Sequence, residues 1–187
     1  MSQHELRAFD PTRFGDEVRL RAQVDRDAGV LSLRYELEGP LTRFVIPEAA
    51  ARATRREKLW EATCFEAFFA PADTTKYWEL NLSPEGHWNV YRFDTYRRGM
   101  RLEPRAIAPV LEVTTDGVGS LVLTTTLDLG PVHEIARHEV EVALTAVLTE
   151  PGGARSFWAL RHDAREPDFH RRESFAVRLP AQYGDGL

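Results

Sequence analysis

Apolar and polar residues alternate in Val18-Arg19-Leu20-Arg21-Ala22-Gln23-Val24 and again in Leu31-Ser32-Leu33-Arg34-Tyr35-Glu36-Leu37. A period of two sends successive side chains to opposite faces, so each run predicts a strand with one buried and one wet face. The turn-rich residues 25–29 between them make the pair a hairpin. Residues 42–46 are short and β-branched and read as a further strand. Residues 64–69 are almost continuously apolar, with Glu66 inside the run. Residues 77–82 and 87–93 flank Ser83-Pro84-Glu85-Gly86, and residues 110–114 and 120–127 flank Asp116-Gly117-Val118-Gly119, both tight-turn signals. Val140, Val142, Leu144, Ala146 and Leu148 share one face of a long strand that ends at Pro151-Gly152-Gly153. Residues 156–160 and 175–179 complete the set. Roughly ten short strands with regular turn signals predict an all-β fold, an antiparallel β-sandwich or barrel with little helix. Residues 47–58 carry helix formers but only a thin apolar stripe, and read equally as a helix or an exposed loop. Residues 131–138 read as one helical turn. No repeat, low-complexity tract or long linker divides the chain, so residues 1–187 are expected to form a single domain with its core over about 17–180.

At 187 residues, 43% hydrophobic and 28% charged, the chain has enough apolar material to build a core. It has no uninterrupted apolar run of the roughly 18 residues a membrane helix needs, which predicts no membrane span. A net charge of −5 argues against nucleic-acid binding by bulk electrostatics. The one cysteine, Cys64, excludes an internal disulfide and a multi-cysteine zinc site. The opening Met1-Ser2-Gln3-His4-Glu5-Leu6-Arg7 has no basic start followed by an apolar stretch, and together with the single thiol this predicts a cytoplasmic protein.

Candidate chemistry concentrates between residues 59 and 91, where three of the four tryptophans lie. Strand alternation puts Tyr77, Glu79 and Asn81 on one face and Trp78, Leu80 and Leu82 on the other. A face carrying Glu, Asn and Tyr beside indole rings suits a sugar, which offers hydroxyls to carboxylates and amides and flat C–H patches to aromatic rings. The alternative is a wet polar face over buried tryptophans.

The segments Leu59-Trp60-Glu61, Thr63-Cys64-Phe65-Glu66, Tyr77-Trp78-Glu79, Asn81-Leu82-Ser83-Pro84, Trp88-Asn89 and Tyr96-Arg97, with Phe157-Trp158-Ala159-Leu160 and Pro167-Asp168-Phe169-His170 later, resemble the DOMON-like proteins. These are relatives of the type 9 carbohydrate-binding modules and of the haem-binding DOMON domains. The resemblance covers about residues 19–179 and implies a jelly-roll-like or immunoglobulin-like β-sandwich. It implies a non-catalytic module that binds a sugar or a sugar-containing ligand, with Trp60 and Trp158 stacking on the ring and Glu66 and Arg92 bonding its hydroxyls. Glu79 and Asn81 join this ligand-binding set. The haem-binding relatives imply a second reading, with Met100 and one of His162, His170 or His87 as axial ligands. Sugar-binding relatives often carry calcium, so calcium or haem is the cofactor to look for, although no cofactor is predicted outright and no Asp-x-Asp pattern marks a calcium loop.

Other readings follow from single features. His133 and His138 stand five residues apart, about 140° around a helix, so they do not converge on a zinc ion as a pair four apart would. Cys64, mid-strand in an apolar run, reads as a buried small hydrophobe. Glu66 and Glu79 sit on neighbouring strands and would suit a glycosidase at the right separation. The charged tail from His162 to Glu173 reads as a solvated loop, or as a loop whose Phe169 or His170 closes a pocket. A protein-interaction sandwich or homodimer with no small ligand is the remaining alternative, its mark being an exposed apolar patch.

Overall fold

The computed structural model describes residues 2–181. Twelve strands form: β1 (Ser2–Ala8), β2 (Arg19–Asp27), β3 (Val30–Glu38), β4 (Cys64–Pro71), β5 (Tyr77–Leu82), β6 (Trp88–Phe93), β7 (Arg101–Leu102), β8 (Val110–Thr115), β9 (Ser120–Asp128), β10 (Val140–Thr149), β11 (Arg155–Ala159) and β12 (Val177–Leu179). The one α-helix described, α1 (His133–Ala136), is a single turn. The strands hydrogen-bond in the order β7-β6-β5-β4-β10-β11-β1-β2-β3-β9-β8, with β12 also on β10, and all these ladders are antiparallel.

One strand joins the two layers of this curled sheet. Ser2–Leu6 of β1 pairs with β2, while Arg7 and Ala8 pair with β11. The first layer is β1-β2-β3-β9-β8 and the second is β7-β6-β5-β4-β10 with β11 and β12. Their facing sides share one core. It takes Leu20, Leu33, Tyr35 and Leu37 from the first layer and Phe65, Trp78, Leu80 and Leu144 from the second. The Tyr35 hydroxyl crosses this core and donates to the main-chain carbonyl of Glu66 at 2.6 Å. The β2–β3 hairpin forms as its alternation predicts, but Asp27 pairs directly with Val30, so the loop is only Ala28-Gly29. Both residues have positive φ, +45° and +80°, matching the tight turn whose twist suits right-twisted strands.

Three segments add to or alter the sequence reading. Residues 42–46 are not a strand: a 3₁₀ turn at Leu41–Arg43 buries Leu41 and Phe44 in the end of the core, and Val45 adds one bond to the Thr149 carbonyl. Prolines at 40 and 47 bracket the segment and forbid a longer ladder. Residues 47–58 form no helix. They run beside β6, where Arg56 donates to Trp88, Trp88 donates to Thr54, and the Arg55 guanidinium caps the carbonyls of Val90 and Glu103. Of the two readings given for this segment, helix or exposed loop, the loop is the one that forms: with so thin an apolar stripe a helix had nothing to bury, and these tertiary bonds outweigh its propensity. The seam strand β1 was not expected, because only Leu6 and Ala8 of its seven residues are buried.

The largest departure concerns the second layer's outer face. Every residue of β4 and β5 is buried, on both faces. The outer side carries its own cluster, in which Phe68, Tyr77, Phe93 and Val147 meet Phe169 and Phe175 of the chain's C-terminal stretch. Strands buried on both faces read as continuous apolar runs, which is the pattern of residues 64–69.

Replacing Tyr35 by Phe keeps the ring against Phe65, 5.3 Å away, and removes only the bond across the core. The expected cost is about 1 kcal/mol of unfolding free energy in urea titration, with an unchanged denaturant slope.

Candidate functional site

The C-terminal stretch does not lie flush on the outer face of β4 and β5. A cavity of about 340 Å³ remains between them, within the size range of small-molecule sites. Its floor follows from strand register. Glu66 opposes Asn81 and Phe68 opposes Glu79, so Glu66, Phe68, Glu79 and Asn81 share the outer face while Phe65, Trp78 and Leu80 fill the core. Phe93 of β6, Val147 of β10 and Phe157 of β11 extend this face into the walls.

Loops supply the rim. Trp60 sits in a 3₁₀ turn, Leu59–Glu61, entered through Lys58 in the left-handed region (φ +61°). The Tyr91 hydroxyl accepts the Lys58 amide at 3.1 Å, and the Trp60 ring lies edge-on to Tyr91 at 5.3 Å. Arg97 and Met100 come from the β6–β7 loop, where Arg101 clasps both oxygens of Asp94 at 2.7 and 2.8 Å. Gly99 is required there: its φ is +69°, and a Cβ would fall 2.2 Å from an Asp94 oxygen. The same loop holds the C-terminal stretch. Arg97 pairs with Asp168 at 2.9 Å, Tyr96 donates to Asp168, and the Tyr77 hydroxyl bonds His170 Nδ1 at 2.8 Å while accepting the Arg97 amide at 3.1 Å.

The floor carries two carboxyl groups almost out of water. Glu66 is 2% exposed and Glu79 is 4% exposed. Burial first, and the neighbouring Glu79 second, push the Glu66 carboxyl well above the ordinary carboxylate range. Burial raises Glu79 to about 7, against the opposing pull of the Asn81 amide and the Arg97 guanidinium. His170 goes the other way: burial, and then the charge of Arg97, lower it to about 4, so the ring is neutral at pH 7. Thr145 Oγ1 donates to Glu66 Oε2 at 3.3 Å and Asn81 Nδ2 to Glu79 Oε1 at 2.8 Å, and the Cys64 thiol also bonds Glu66. The cavity thus combines aromatic walls, a carboxyl floor and a guanidinium rim.

The structure brings Trp60, Glu66 and Glu79 together in this lining. Asn81 lies behind them, fully buried, orienting Glu79 and accepting the Cys64 thiol at 3.5 Å. Trp158 is a correction. It faces the inter-layer core, with its ring 5.2 Å from Phe14 and its Nε1 donating to Ser156 at 3.0 Å. Its neighbour Phe157 points into the cavity instead, because one step along a strand reverses the face. Arg92 is a second correction. It opposes Trp78, away from the cavity, and pairs with Glu134 at 3.5 Å. The guanidinium at the rim is that of Arg97. Phe157 was readable once the face of Trp158 is known. Arg97 lies in a segment that carries the family resemblance, but its place at the rim depends on a loop and on Asp168, 71 residues away, which no local pattern assigns.

Met100 and His170 both line the cavity, whereas His162 lies elsewhere, bonded to the Arg7 carbonyl at 2.8 Å and set against Phe9. His87 is buried and bonded to Thr54. Cys64 is buried mid-strand, with burial pushing its thiol upward. Among the described residues no three His, Cys, Asp or Glu side chains cluster so as to hold a metal ion, which gives no calcium site to build on. Of the tail, Phe169 and His170 both close the cavity.

No protein-family model matches the chain, and no curated protein matches it. Solved structures do share its fold. A candidate carbohydrate-binding protein from Bacteroides uniformis superposes with a TM-score of 0.64 at 10% identity, covering 96% of this chain and 86% of its own. A family 9 carbohydrate-binding module from Caldicellulosiruptor kristjanssonii in complex with cellotriose gives 0.53 at 10% identity, over 98% and 84%. The same organism's family 9 module in complex with glucose gives 0.50 at 10% identity, over 91% and 81%. At this identity the likeness concerns the fold, and the chain has the architecture of these carbohydrate-binding modules.

The raised carboxyls have a measurable consequence. A carboxyl held at about 7 when folded and near 4.5 when unfolded keeps its proton longer in the folded state. Its ionisation therefore destabilises the fold progressively as pH rises from about 4.5 to about 7, and the full penalty applies above that. His170 acts in the opposite sense over about 4 to 6.5, so the comparison is made against a variant. Glu79→Gln should match the parent near pH 5 and exceed it at pH 8 by on the order of 3 kcal/mol at most, read from urea midpoints at both pH values.

Proposed function

We propose that this protein is a non-catalytic module that binds a sugar in the cavity over β4 and β5. The observation that carries the reading is the cavity itself, where aromatic rings and two buried carboxyls converge on the outer face of a sandwich shared with carbohydrate-binding modules. Trp60 and Phe157 offer flat apolar surface to the C–H face of a pyranose. Glu66 and Glu79 offer lone pairs and, when protonated, a donor to its hydroxyls. Arg97 and Arg155 stand at the rim, where ring substituents would emerge. Nothing in this arrangement needs a reacting group. The floor carboxyls are held by Thr145 and Asn81, and no hydrogen bond among the described residues joins either of them to a histidine.

One observation favours a second reading. Met100 and His170 line the same cavity, so the thioether and imidazole that a haem would need are brought to one place. In that reading the two floor carboxyls would have no part. Titrating haemin into the protein tests it: a shifted Soret band that disappears in Met100→Ala and His170→Ala supports haem binding, and an unshifted band removes it.

For the sugar reading, Trp60 is the reporter. Its emission should change saturably when a binding mono- or disaccharide is added, and Trp60→Ala should lose affinity about tenfold or more, since an aromatic platform contributes on the order of 1 to 3 kcal/mol. Phe157→Ala should weaken binding in the same direction, while Trp158→Phe should leave affinity unchanged. A flat response across neutral, acidic and amino sugars would remove the sugar reading.

A further inference from the structure

The two carboxyls of the floor have no cation paired with them among the described residues. Glu66 and Glu79 take part in none of the ion pairs among the described residues, although the other buried acid, Glu103, is paired with Arg105 at 2.9 Å. The Arg97 guanidinium, whose charge acts on Glu79, is already committed to Asp168. Arg155, at the opposite rim, spends a donor on the Trp60 carbonyl. His170 cannot serve, because the ring is neutral at pH 7. Tyr77 is held by His170 and the Arg97 amide, and the Cys64 thiol brings no positive charge. Glu66 Oε1 and Glu79 Oε2 accept no hydrogen bond from N–H or O–H groups among the described residues, and both side chains line the cavity while more than nine-tenths buried.

Two buried carboxyls with no ion-pair partner among the described residues hold their protons, and a cation seated beside them would take the place of those protons. Around them stand Trp60, Phe68, Phe93, Phe157 and Phe169. Aromatic faces attract cations through their ring quadrupole, most strongly where water is excluded. A neutral sugar would satisfy the lone pairs with hydroxyls but would leave any ionised carboxylate unneutralised. An ammonium group satisfies both, with three donors and one charge.

We infer that the sugar this cavity takes carries a free, protonated amino group, seated against Glu66 and Glu79 with the aromatic rings around it. The inference rests on the sugar reading above and names the class of sugar. A ring hydroxyl in place of the amine loses a charge-assisted hydrogen bond, and an N-acetyl group loses the charge and adds bulk at the floor.

The test is calorimetric titration at pH 6.5, where the simple amino sugars are cations. Glucosamine, galactosamine and mannosamine are each compared with the neutral parent hexose and with the N-acetyl form, and choline serves as an amine without a sugar ring. At least one amino sugar should bind about tenfold or more tighter than its parent and its N-acetyl form, the scale of one charge-assisted bond. The Glu66→Gln/Glu79→Gln variant keeps the shape of the floor and removes the carboxyls that can give up a proton and ionise against the amine, so the ratio of amino to neutral affinity should fall to about one. Parent and amino sugars binding equally well, both reported by Trp60, would overturn this inference and leave the sugar reading standing. No binding by any sugar would overturn both. Choline binding as tightly as the best amino sugar would overturn the inference too, because the site would then recognise an amine and not a sugar.

Discussion

A β-strand buried on both faces has no wet side on which to leave a charge, and this constraint governs the molecule. The inner faces of β4 and β5 are taken by the core between the layers. Their outer faces are covered by the C-terminal stretch, clipped down through Asp168 and His170 to Arg97, Tyr96 and Tyr77. A polar residue on the outer face must then find a partner or face a cavity. Asn81 and Thr145 find partners in the two carboxyls, and the carboxyls face the cavity. The cavity and its unusual acids are two results of the same covering.

The layers are held in register by polar ties as well as apolar area. The Tyr35 hydroxyl reaches the carbonyl of Glu66, so the first layer touches the strand that carries the site at the site residue itself. Trp78, beside Glu79 in sequence, anchors the other way: its Nε1 donates to Glu103 at 3.0 Å, and Arg105 bridges Glu103 to Glu134. Arg92 belongs to that network through Glu134. The network explains why a guanidinium on β6 is a supporting group behind the sheet, while a loop guanidinium serves the cavity. Removing either tie should disturb the floor indirectly, by shifting the strand that carries it.

Sharing a sandwich with carbohydrate-binding modules does not settle what a cavity holds, because sites are grafted on folds. What distinguishes this cavity is the balance of its charges. The other buried acid among the described residues, Glu103, is paired with Arg105, and the two of the floor are in no ion pair. Leaving two carboxyls without a cation costs folding stability, and the chain retains them where a ligand can reach them. That combination of instability and accessibility is characteristic of functional sites.

Much of the fold was legible from periodicity. The runs at 77–82, 110–114, 120–127 and 140–148 match β5, β8, β9 and β10 to within a residue at either end, because alternation is a local property that survives any arrangement of strands. The opposed faces of Glu79 and Trp78 were legible for the same reason. So was the grouping of Trp60, Glu66 and Glu79, through the segments that resemble sugar-binding proteins. Alternation cannot say which face of a strand looks inward, however, so it does not separate Phe157 from the Trp158 that the resemblance implies, and only packing puts Phe157 in the cavity and Trp158 in the core. Nor can it say that a polar-looking face will be roofed: the outer side of β5 became dry only because residues 160–176 fold back over it. Arg97, Met100 and the seam strand β1 depend on contacts between residues far apart in the chain, which a local pattern does not encode. The chain's alternation specified the strands and their two faces, and the three-dimensional packing chose which face became the core and which became a site.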